Sequence, residues 1–422
     1  MNSITAGPGS RWRAGAWSNV QVVDVLRGFA SLLHAAFIFF ACFAFSAASP
    51  YDIIAIPTIL LWLCLGIRLH RGALPLAILL VLYVGTIVVA LMPYLGEPDP
   101  VAWTIQLAYL AITAIFFSML YADRSQERVE IALKAYLASC LFSATLGIVG
   151  YAGLSGSDEL FARWGRAAGS FQDPNVFGSF LTLGVLYLLH GLLLGTSRRP
   201  LLAFLALLFL LVGILLSFSR GSWGGSLVAI VVMVSAIYRT SASRHLRRRI
   251  VALSLVAGLG GAMAIGGVLS IGNIGETFTQ RASVTQDYDE GETGRFGNQL
   301  RGLAQLTEEP MGMGPLRWRR TYGLEPHNSY IGSFANGGWV GGITFIGLVL
   351  ATTFVGFRLM FYPSPFQRHA QIVWPALLMF FLQAVQIDIE KWRHVYMMLG
   401  IVWGLEAARL RWATSQWRLD RH

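Results

Sequence analysis

Residues 325–330 (EPHNSY) contain the histidine with the setting best suited to acid–base chemistry. His327 follows Pro326 and begins a predicted helix over 328–335, inside a polar stretch of an otherwise apolar chain. The positive end of a helix disfavours an imidazolium, so we expect His327 to be neutral and able to accept a proton. This predicts a general base, although a lone histidine more often has a structural role.

A second candidate is the serine- and glycine-rich turn 217–225 (SFSRGSWGG), which opens an apolar helix. Helix N-termini present free N–H groups and a partial positive charge, and Arg220 lies at this one. The combination predicts a phosphate-binding site. The same glycines also suit close packing between membrane helices, and the two interpretations are compatible.

A third candidate is residues 166–175 (RAAGSFQDPN). Asp173 and Pro174 are explained as the cap and first residue of the next helix. Their roles leave Arg163, Arg166 and Asn175 without a structural explanation.

The carboxylate run 287–290 (DYDE) has the spacing of a metal-dependent glycosyltransferase site, but it also suits a solvated loop. No histidine or further carboxylate is close in sequence to complete a site, and the three cysteines lie in apolar segments. We therefore expect neither a metal ion nor a cofactor.

These candidates must be positioned by membrane helices. The 422 residues are 55% hydrophobic and 13% charged, and apolar runs of about 20 residues, enough to cross about 30 Å of hydrocarbon, recur along the chain. We predict an all-α, polytopic membrane protein with about twelve transmembrane helices, because open strands are not viable in lipid. The predicted spans are 27–47, 53–69, 73–93, 101–121, 130–153, 174–196, 200–217, 220–238, 250–271, 338–361, 370–387 and 394–411.

Most of the 32 Lys and Arg residues fall in loops on one side of this arrangement, which places both termini in the cytoplasm. We divide the chain into a bundle of spans 1 to 9 (1–271), a large periplasmic loop (272–337) and spans 10 to 12 with a cytoplasmic tail (338–422). The stretches 154–173 and 217–220 then lie on the periplasmic side with that loop. Against the positive-inside trend these three stretches hold a set of arginines, which predicts an anionic ligand or, alternatively, anionic outer-leaflet lipid. They are Arg163, Arg166, Arg220, Arg281, Arg295, Arg301, Arg317, Arg319 and Arg320.

Three motifs, in this order, resemble those of the O-antigen ligase / O-antigen polymerase superfamily of bacterial inner-membrane proteins. Residues 169–175 (GSFQDPN) resemble its G-x-F-x-x-P-N motif, and 216–223 (LSFSRGSW) its S-R-G helix start. The stretch from 293–295 (TGR) through 310–315 (PMGMGP) to His327 and Asn328 resembles its S-G-R … P-x-x-G-x-G … H-N loop. The sequence departs from the family at Gln299, where a Trp is usual.

The resemblance implies an O-antigen ligase, a glycosyltransferase that moves a glycan from undecaprenyl pyrophosphate to a lipid A-core sugar on the periplasmic face. It implies a metal-independent, inverting reaction with His327 as base and with Arg220 and Arg295 neutralising the pyrophosphate. Arg163, Arg166, Asn175, Arg301 and Asn328 are further candidates for substrate binding. An O-antigen or exopolysaccharide polymerase remains the alternative, and a lipid-linked glycan transporter a third.

Overall fold

The computed structural model describes residues 19–44, 49–154, 156, 158–269 and 295–419, and this part of the chain is almost entirely helical. The helices are α1 (Asn19–Phe39), α2 (Pro50–Cys64), α3 (Leu74–Leu91), α4 (Pro98–Ala122), α5 (Ser125–Tyr151), α6 (Asp158–Phe161), α7 (Pro174–Leu194), α8 (Pro200–Leu216), α9 (Arg220–Thr240), α10 (Arg244–Leu269), α11 (Arg295–Glu308), α12 (Arg317–Tyr322), α13 (Ser329–Phe361), α14 (Gln367–Gln383) and α15 (Arg393–Leu419). Strands β1 (Ala162–Arg163) and β2 (Arg166–Ala167) form a small antiparallel hairpin between α6 and α7.

Seven helices are long and apolar enough to cross a membrane within the described residues, and α2 and α8 are shorter apolar helices. The seven are α1, α3, α4, α5, α7, α9 and α13. The chain is therefore an all-α polytopic membrane protein, as its composition predicted. The number of twelve spans stays a prediction, although a helix of fifteen or more residues lies at every predicted span in the described part.

Helices α14 and α15 are central rather than lipid-facing. Almost all of α14 from His369 to Phe381 is buried, and so is α15 from Val395 to Ala408. A helix surrounded by protein can carry polar groups that lipid would not tolerate. Helix α15 packs along α4, α14 packs on α9 and α13 packs on α3, so the core lies between these helices.

Helix α13 begins earlier than the predicted tenth span, which started at residue 338, because Asn328 caps it. It is broken at Gly338, whose φ of 68° and ψ of −168° are not helical. The turn Pro310–Gly314 fills the break: the backbone N–H groups of Met313 and Gly314 donate to the Ala335 carbonyl, and that of Trp339 donates to Pro310. The backbone groups at the break are thus hydrogen-bonded by protein.

The connecting segments 158–173, 217–219, 309–328 and 384–392 meet at one end of the bundle, which we call the site end. The N–H of Ala44 donates to the Ser170 carbonyl at 3.2 Å, and the N–H of Ser329 donates to the Ala384 carbonyl at 2.7 Å. The stretches predicted to share a face therefore do so where the structure describes them. Residues 270–294 lie outside the described part, so the division into 1–271, 272–337 and 338–422 stays a prediction.

Candidate functional site

Arg220 is the first residue of α9, as the sequence indicated. Ser219 caps this helix, and its side-chain oxygen accepts a hydrogen bond from the N–H of Ser222 at 3.2 Å. Of the three glycines considered for packing, Gly225 lies against Met379 and Gln383 of α14, whereas Gly224 has no atom within 4 Å of a Cβ built on it. The helix start therefore combines a polar terminus with a close helix contact at Gly225.

Arg166 connects two of the segments predicted to lie together. It belongs to β2 and is 7% exposed. Its Nε donates to the carbonyl oxygen of Ser217 at 2.7 Å, and its Nη2 donates to Oδ1 of Asn175 at 2.8 Å. Asp173 caps α7 through the N–H of Asn175 at 2.7 Å, as expected. The Asn175 side chain therefore orients a guanidinium at the α8–α9 turn.

Gln383, at the end of α14, closes the other side of this turn. Its Nε2 donates to the Gly221 carbonyl at 2.6 Å. Gln383 begins the polar segment that continues into the connection 384–392, which we call the 384–392 loop. This loop is a part of the site that the sequence analysis did not single out.

A cavity of about 120 Å³ lies between these groups. It contains two guanidinium-bearing residues and several neutral hydrogen-bonding side chains, so it can hold a small anionic group. Its lining consists of Arg166, Asn175, Ser179, Phe218, Ser219, Arg220, Gly221, Gln383, Gln386, Ile387 and Trp392.

His327 lies next to a carboxylate of the 384–392 loop. Its Nδ1 is 3.5 Å from Oδ2 of Asp388, an ion-pair distance. The other carboxylate oxygen of Asp388 accepts a hydrogen bond from the N–H of Asn328 at 3.0 Å. His327 has a left-handed backbone (φ 46°), which is unusual for a residue with a side chain of this size. The backbone conformation and Asp388 together set where the imidazole lies.

The pair His327–Asp388 is joined to the cavity through the 384–392 loop. The Ser329 hydroxyl donates to the Ile387 carbonyl at 3.2 Å and accepts from the Ile389 N–H at 2.8 Å. Ile387 lines the cavity, and Asp388 follows it in the chain, so their Cα atoms are about 3.8 Å apart. The base candidate and the cationic cavity are therefore neighbours along the 384–392 loop.

Further carboxyl groups surround this pair. Burial, together with the charge of Asp388, raises the pKa of Glu390 to about 8. Burial and the same charge raise the pKa of Glu325. Partial desolvation lowers the pKa of Lys391, an exposed residue of the same loop. Burial and the charge of Asp388 thus disfavour the ionised form of Glu390 and of Glu325.

The remaining predicted site residues either contact other parts of the protein or have side chains outside the described part of the structure. Asn328 caps α13, where its side chain accepts from the N–H groups of Tyr330 and Ile331 at 3.0 and 3.1 Å. Arg301 contacts Asn298 and lies over the ring of Tyr322, away from the cavity.

Arg163 pairs with Arg166 in the hairpin but does not line the cavity. Arg295 begins α11, and its side chain lies outside the described atoms, as does the carboxylate run 287–290. No group of three or more His, Cys, Asp or Glu in the described ranges is arranged to hold a metal ion. Metal independence therefore stays a prediction.

Two arginines of the predicted anion-binding set have structural partners instead. Arg317 and Arg320 both form ion pairs with Glu97, between α3 and α4, and Arg317 also lies 3.6 Å from the ring centroid of Tyr94. The hydrogen bond from Arg317 lowers the pKa of Glu97. These two residues attach α12 to the α3–α4 connection, which accounts for them without a ligand.

Asp388, Gln383 and Glu390 are site residues that sequence reasoning missed. The available signal was the alternation of polar and apolar residues over 383–391 (QAVQIDIEK), which is unusual between two apolar spans. Two carboxylates in so short a connection, on the predicted face of the arginines, would have marked this loop as a candidate part of the site, but not which residue each carboxylate contacts.

The comparison with known families agrees with this geometry. A family model described as O-antigen ligase matches residues 205–346, which include most of α8, all of α9 to α12 and the first half of α13. The matched range holds Arg220, Arg295 and His327. No curated protein gives a significant match to the chain. The resemblance to the O-antigen ligase superfamily is thereby confirmed over residues 205–346, which hold the second and third motifs, whereas the first motif, 169–175, lies before the matched range.

Proposed function

We propose that this protein is an O-antigen ligase. In this proposal it transfers a glycan from undecaprenyl pyrophosphate to a sugar of the lipid A core, without a metal ion and with inversion. The observation that carries the proposal is the junction at Ile387 and Asp388, where a cavity with two arginines adjoins a histidine–carboxylate pair. Transfer from a pyrophosphate requires these two functions side by side.

The leaving group is a pyrophosphate whose charge increases as the bond to the sugar breaks. Arg220 provides a guanidinium for that charge at the start of α9, where the partial positive charge of a helix N-terminus also favours an anion. Arg166 is held at the same cavity by Ser217 and Asn175. Arg295 is the second arginine of the family motif, and we propose that it contacts the same pyrophosphate.

The acceptor hydroxyl must lose its proton as it attacks the anomeric carbon. His327 can take this proton on Nε2 if Nδ1 carries a hydrogen directed at Asp388. Asp388 would then stabilise the imidazolium formed in the step. The proton remains on His327 until the glycan product leaves, and the pyrophosphate retains the bonding electron pair.

The side of the membrane is part of the proposal. We place the site end in the periplasm of a bacterial inner membrane and both termini in the cytoplasm. With Cys64 replaced by serine, a cysteine at Thr321 should react with an impermeant maleimide in intact cells, and one at Ser243 only after permeabilisation. Both positions are exposed, at opposite ends of the bundle. Labelling of the Thr321 position only from inside would refute this orientation.

A polymerase of the same superfamily is the second candidate, because the family match covers both activities. The lipopolysaccharide of a deletion strain separates them. Loss of all capped lipopolysaccharide, with surviving lipid-linked polymer, is the expected result for a ligase. Capping by single repeats would instead identify a polymerase, and absence of lipid-linked glycan from the periplasmic face would identify a transporter.

The chemical step is tested with purified donor and acceptor. His327→Ala should lower turnover about 10²–10⁴-fold, the usual value of general-base assistance, while donor binding is largely kept. His245→Ala, exposed at the opposite end, is the matched control and should retain turnover. Normal turnover of His327→Ala would assign the base to another group, and loss of donor binding would make His327 a phosphate ligand.

A further inference from the structure

A second, larger cavity lies at the end of the bundle opposite the site end. Its volume is about 1030 Å³, and it lies between α5, α7, α8 and the start of α14. The α7–α8 connection from Thr196 to Arg199 forms one wall. No residue of the proposed transfer site lines it, so its chemistry needs an explanation of its own.

The lining carries an excess of positive charge. Its basic residues are Lys134, Arg198, Arg199 and Arg368, and its one carboxylate is Glu130. Glu130 is already engaged, since it accepts a hydrogen bond from the Tyr187 hydroxyl at 2.7 Å and lies 3.4 Å from Nζ of Lys134. The arginines are therefore not neutralised by the one acid of the cavity, and an anion is the complementary ligand.

Buried polar atoms of this lining lack hydrogen-bond partners. His369 is 5% exposed, and its Nδ1 has no partner, while its Nε2 lies 3.6 Å from Glu130. The buried Nε of Arg368 has no partner either. Buried polar groups are normally satisfied, so a bound oxygen-rich group would complete this lining.

The other part of the cavity is apolar. Leu137, Leu188, Leu202, Ala203 and Ala206 contribute to its wall. Leu202 is 55% exposed, so this wall is continuous with the outer surface of α8. A small soluble anion would gain nothing from such a surface, whereas an anion attached to an acyl chain would cover it.

We propose that this cavity binds the phosphate headgroup of an anionic phospholipid, with an acyl chain along α8. Basic pockets between membrane helices are suited to such headgroups. By the predicted topology the lipid belongs to the cytoplasmic leaflet. The proposal does not depend on glycan transfer, because none of its residues belongs to the transfer site.

The positive-inside rule offers a different reason for basic residues at this end, and the experiment must separate the two. The rule concerns charge near the membrane and does not distinguish cavity residues from their neighbours. We therefore compare Arg199→Gln/Arg368→Gln with Arg244→Gln/Arg248→Gln. The second pair removes the same charge from exposed residues at this end that do not line the cavity.

Binding is measured by native mass spectrometry of the full chain in detergent, titrated with phosphatidylglycerol or with phosphatidylcholine. The wild type should bind one phosphatidylglycerol in preference to phosphatidylcholine. The cavity variant should bind it at least about tenfold more weakly, with the control variant unchanged. Equal losses in the two variants, or no preference for phosphatidylglycerol in the wild type, would overturn the proposal.

The acyl-chain part has its own test. Ala206→Phe fills the apolar wall without changing charge and should weaken phosphatidylglycerol binding about tenfold or more. Glycerol phosphate, which has the headgroup chemistry but no acyl chain, should compete only weakly. If it competes as well as the lipid, or if Ala206→Phe binds phosphatidylglycerol normally, the cavity is a site for a soluble phosphate and the lipid proposal is wrong.

Discussion

Nδ1 of His327 lies 3.5 Å from Oδ2 of Asp388, while the next residue, Asn328, donates its N–H to Oδ1 of the same carboxylate at 3.0 Å. Consecutive residues of one segment therefore engage both oxygens of one carboxylate. The backbone contact fixes Asp388 relative to the chain that carries the imidazole. An acceptor at Nδ1 favours the tautomer whose Nε2 carries no hydrogen and can accept a proton.

Asp388→Asn is expected to reverse the direction of the hydrogen bond between residue 388 and Nδ1 of His327. The asparagine Oδ1 can still accept from Asn328, but its amide would then donate towards Nδ1, which favours a proton on Nε2 instead. His327 would lose its ability to accept the acceptor's proton, so we expect turnover to fall about 10²–10⁴-fold. Donor affinity should change little. The measurement is in vitro transfer at saturating substrates, with donor binding assayed separately.

Asp99→Asn provides the matched control for this experiment, since Asp99 is an exposed acid at the site end, in the first turn of α4. It should leave turnover near normal. If Asp388→Asn also retains turnover, the carboxylate does not set the tautomer of His327. If Asp388→Asn and Asp99→Asn reduce turnover equally, the loss of turnover comes from removing a negative charge at this end and not from the contact with His327.

The apolar pattern predicted the helices well because membrane helices obey one strong local rule, the length needed to cross hydrocarbon. The starts of α7 and α9 were also predictable, since Asp173 and Ser219 cap them through local hydrogen bonds. The pairing of Asp388 with His327 was not predictable in this way. It depends on the packing of α14 against α9 and α13, which no local pattern encodes.

The number of arginines in the stretches assigned to one face predicted the site less well than the helix caps predicted the helix starts. Arg317 and Arg320 were grouped with the anion-binding residues, but Glu97 pairs with both of them. Gln299, at the family's Trp position, donates from Nε2 to the Pro326 carbonyl at 2.8 Å, directly before His327. A substitution that departs from the family motif therefore still supports the histidine segment, through a different contact.

Gly338→Ala is expected to destabilise the fold. A Cβ at Gly338 would meet the Pro310 carbonyl oxygen and come within 2.6 Å of the Met311 carbonyl carbon, in a left-handed backbone (φ 68°). The turn Pro310–Gly314 would have to leave the break in α13, at a cost on the order of a few kcal/mol. Unfolding by sodium dodecyl sulfate in mixed micelles, monitored by circular dichroism, measures this change.

Gly224→Ala is the control for this prediction, because nothing lies within 4 Å of a Cβ at that helical position. Alanine is the better helix former there, so stability should be unchanged or slightly higher. A Gly338→Ala protein as stable as the wild type would mean that the turn can move away without loss.

Glu390 makes stability depend on pH. Its pKa is raised from 4.5 to about 8 in the folded protein, so between these values the unfolded chain ionises while the folded protein stays protonated. Stability therefore falls as pH rises through this window. Glu390→Gln removes the effect and should gain stability relative to the wild type at pH 8, by an amount on the order of a few kcal/mol greater than at pH 5.

The matched control is Glu97→Gln, since the ion pair with Arg317 lowers the pKa of Glu97. The ionised Glu97 side chain stabilises the folded protein above the pKa of the unfolded state, and this stabilisation is lost only as the pH falls below that value. The stability difference between Glu97→Gln and the wild type should therefore be the same from pH 5 to pH 8. Both variants are compared with the wild type in the same denaturant titrations at the two pH values. A pH-independent difference for Glu390→Gln would contradict the raised pKa.

Arg220 should stabilise the charge of the leaving pyrophosphate and should not act on the acceptor hydroxyl. Removing one cationic contact to a developing charge commonly costs about 10²–10³-fold in turnover, and we expect this of Arg220→Ala. Arg220→Lys should recover only part of it, because an ammonium lacks the planar fork that can bind two phosphate oxygens. Arg295→Ala should resemble Arg220→Ala if both arginines contact the same pyrophosphate.

Arg320→Ala separates a lost site contact from a lost charge, since Arg320 lies at the same end but pairs with Glu97 outside the cavity. It should retain most turnover. The arginine and histidine variants should also differ in kind: Arg220→Ala should weaken binding of the lipid-linked donor, whereas His327→Ala should not. Donor binding by each purified variant decides this, and full activity of Arg220→Ala would leave that arginine with a packing role at the start of α9.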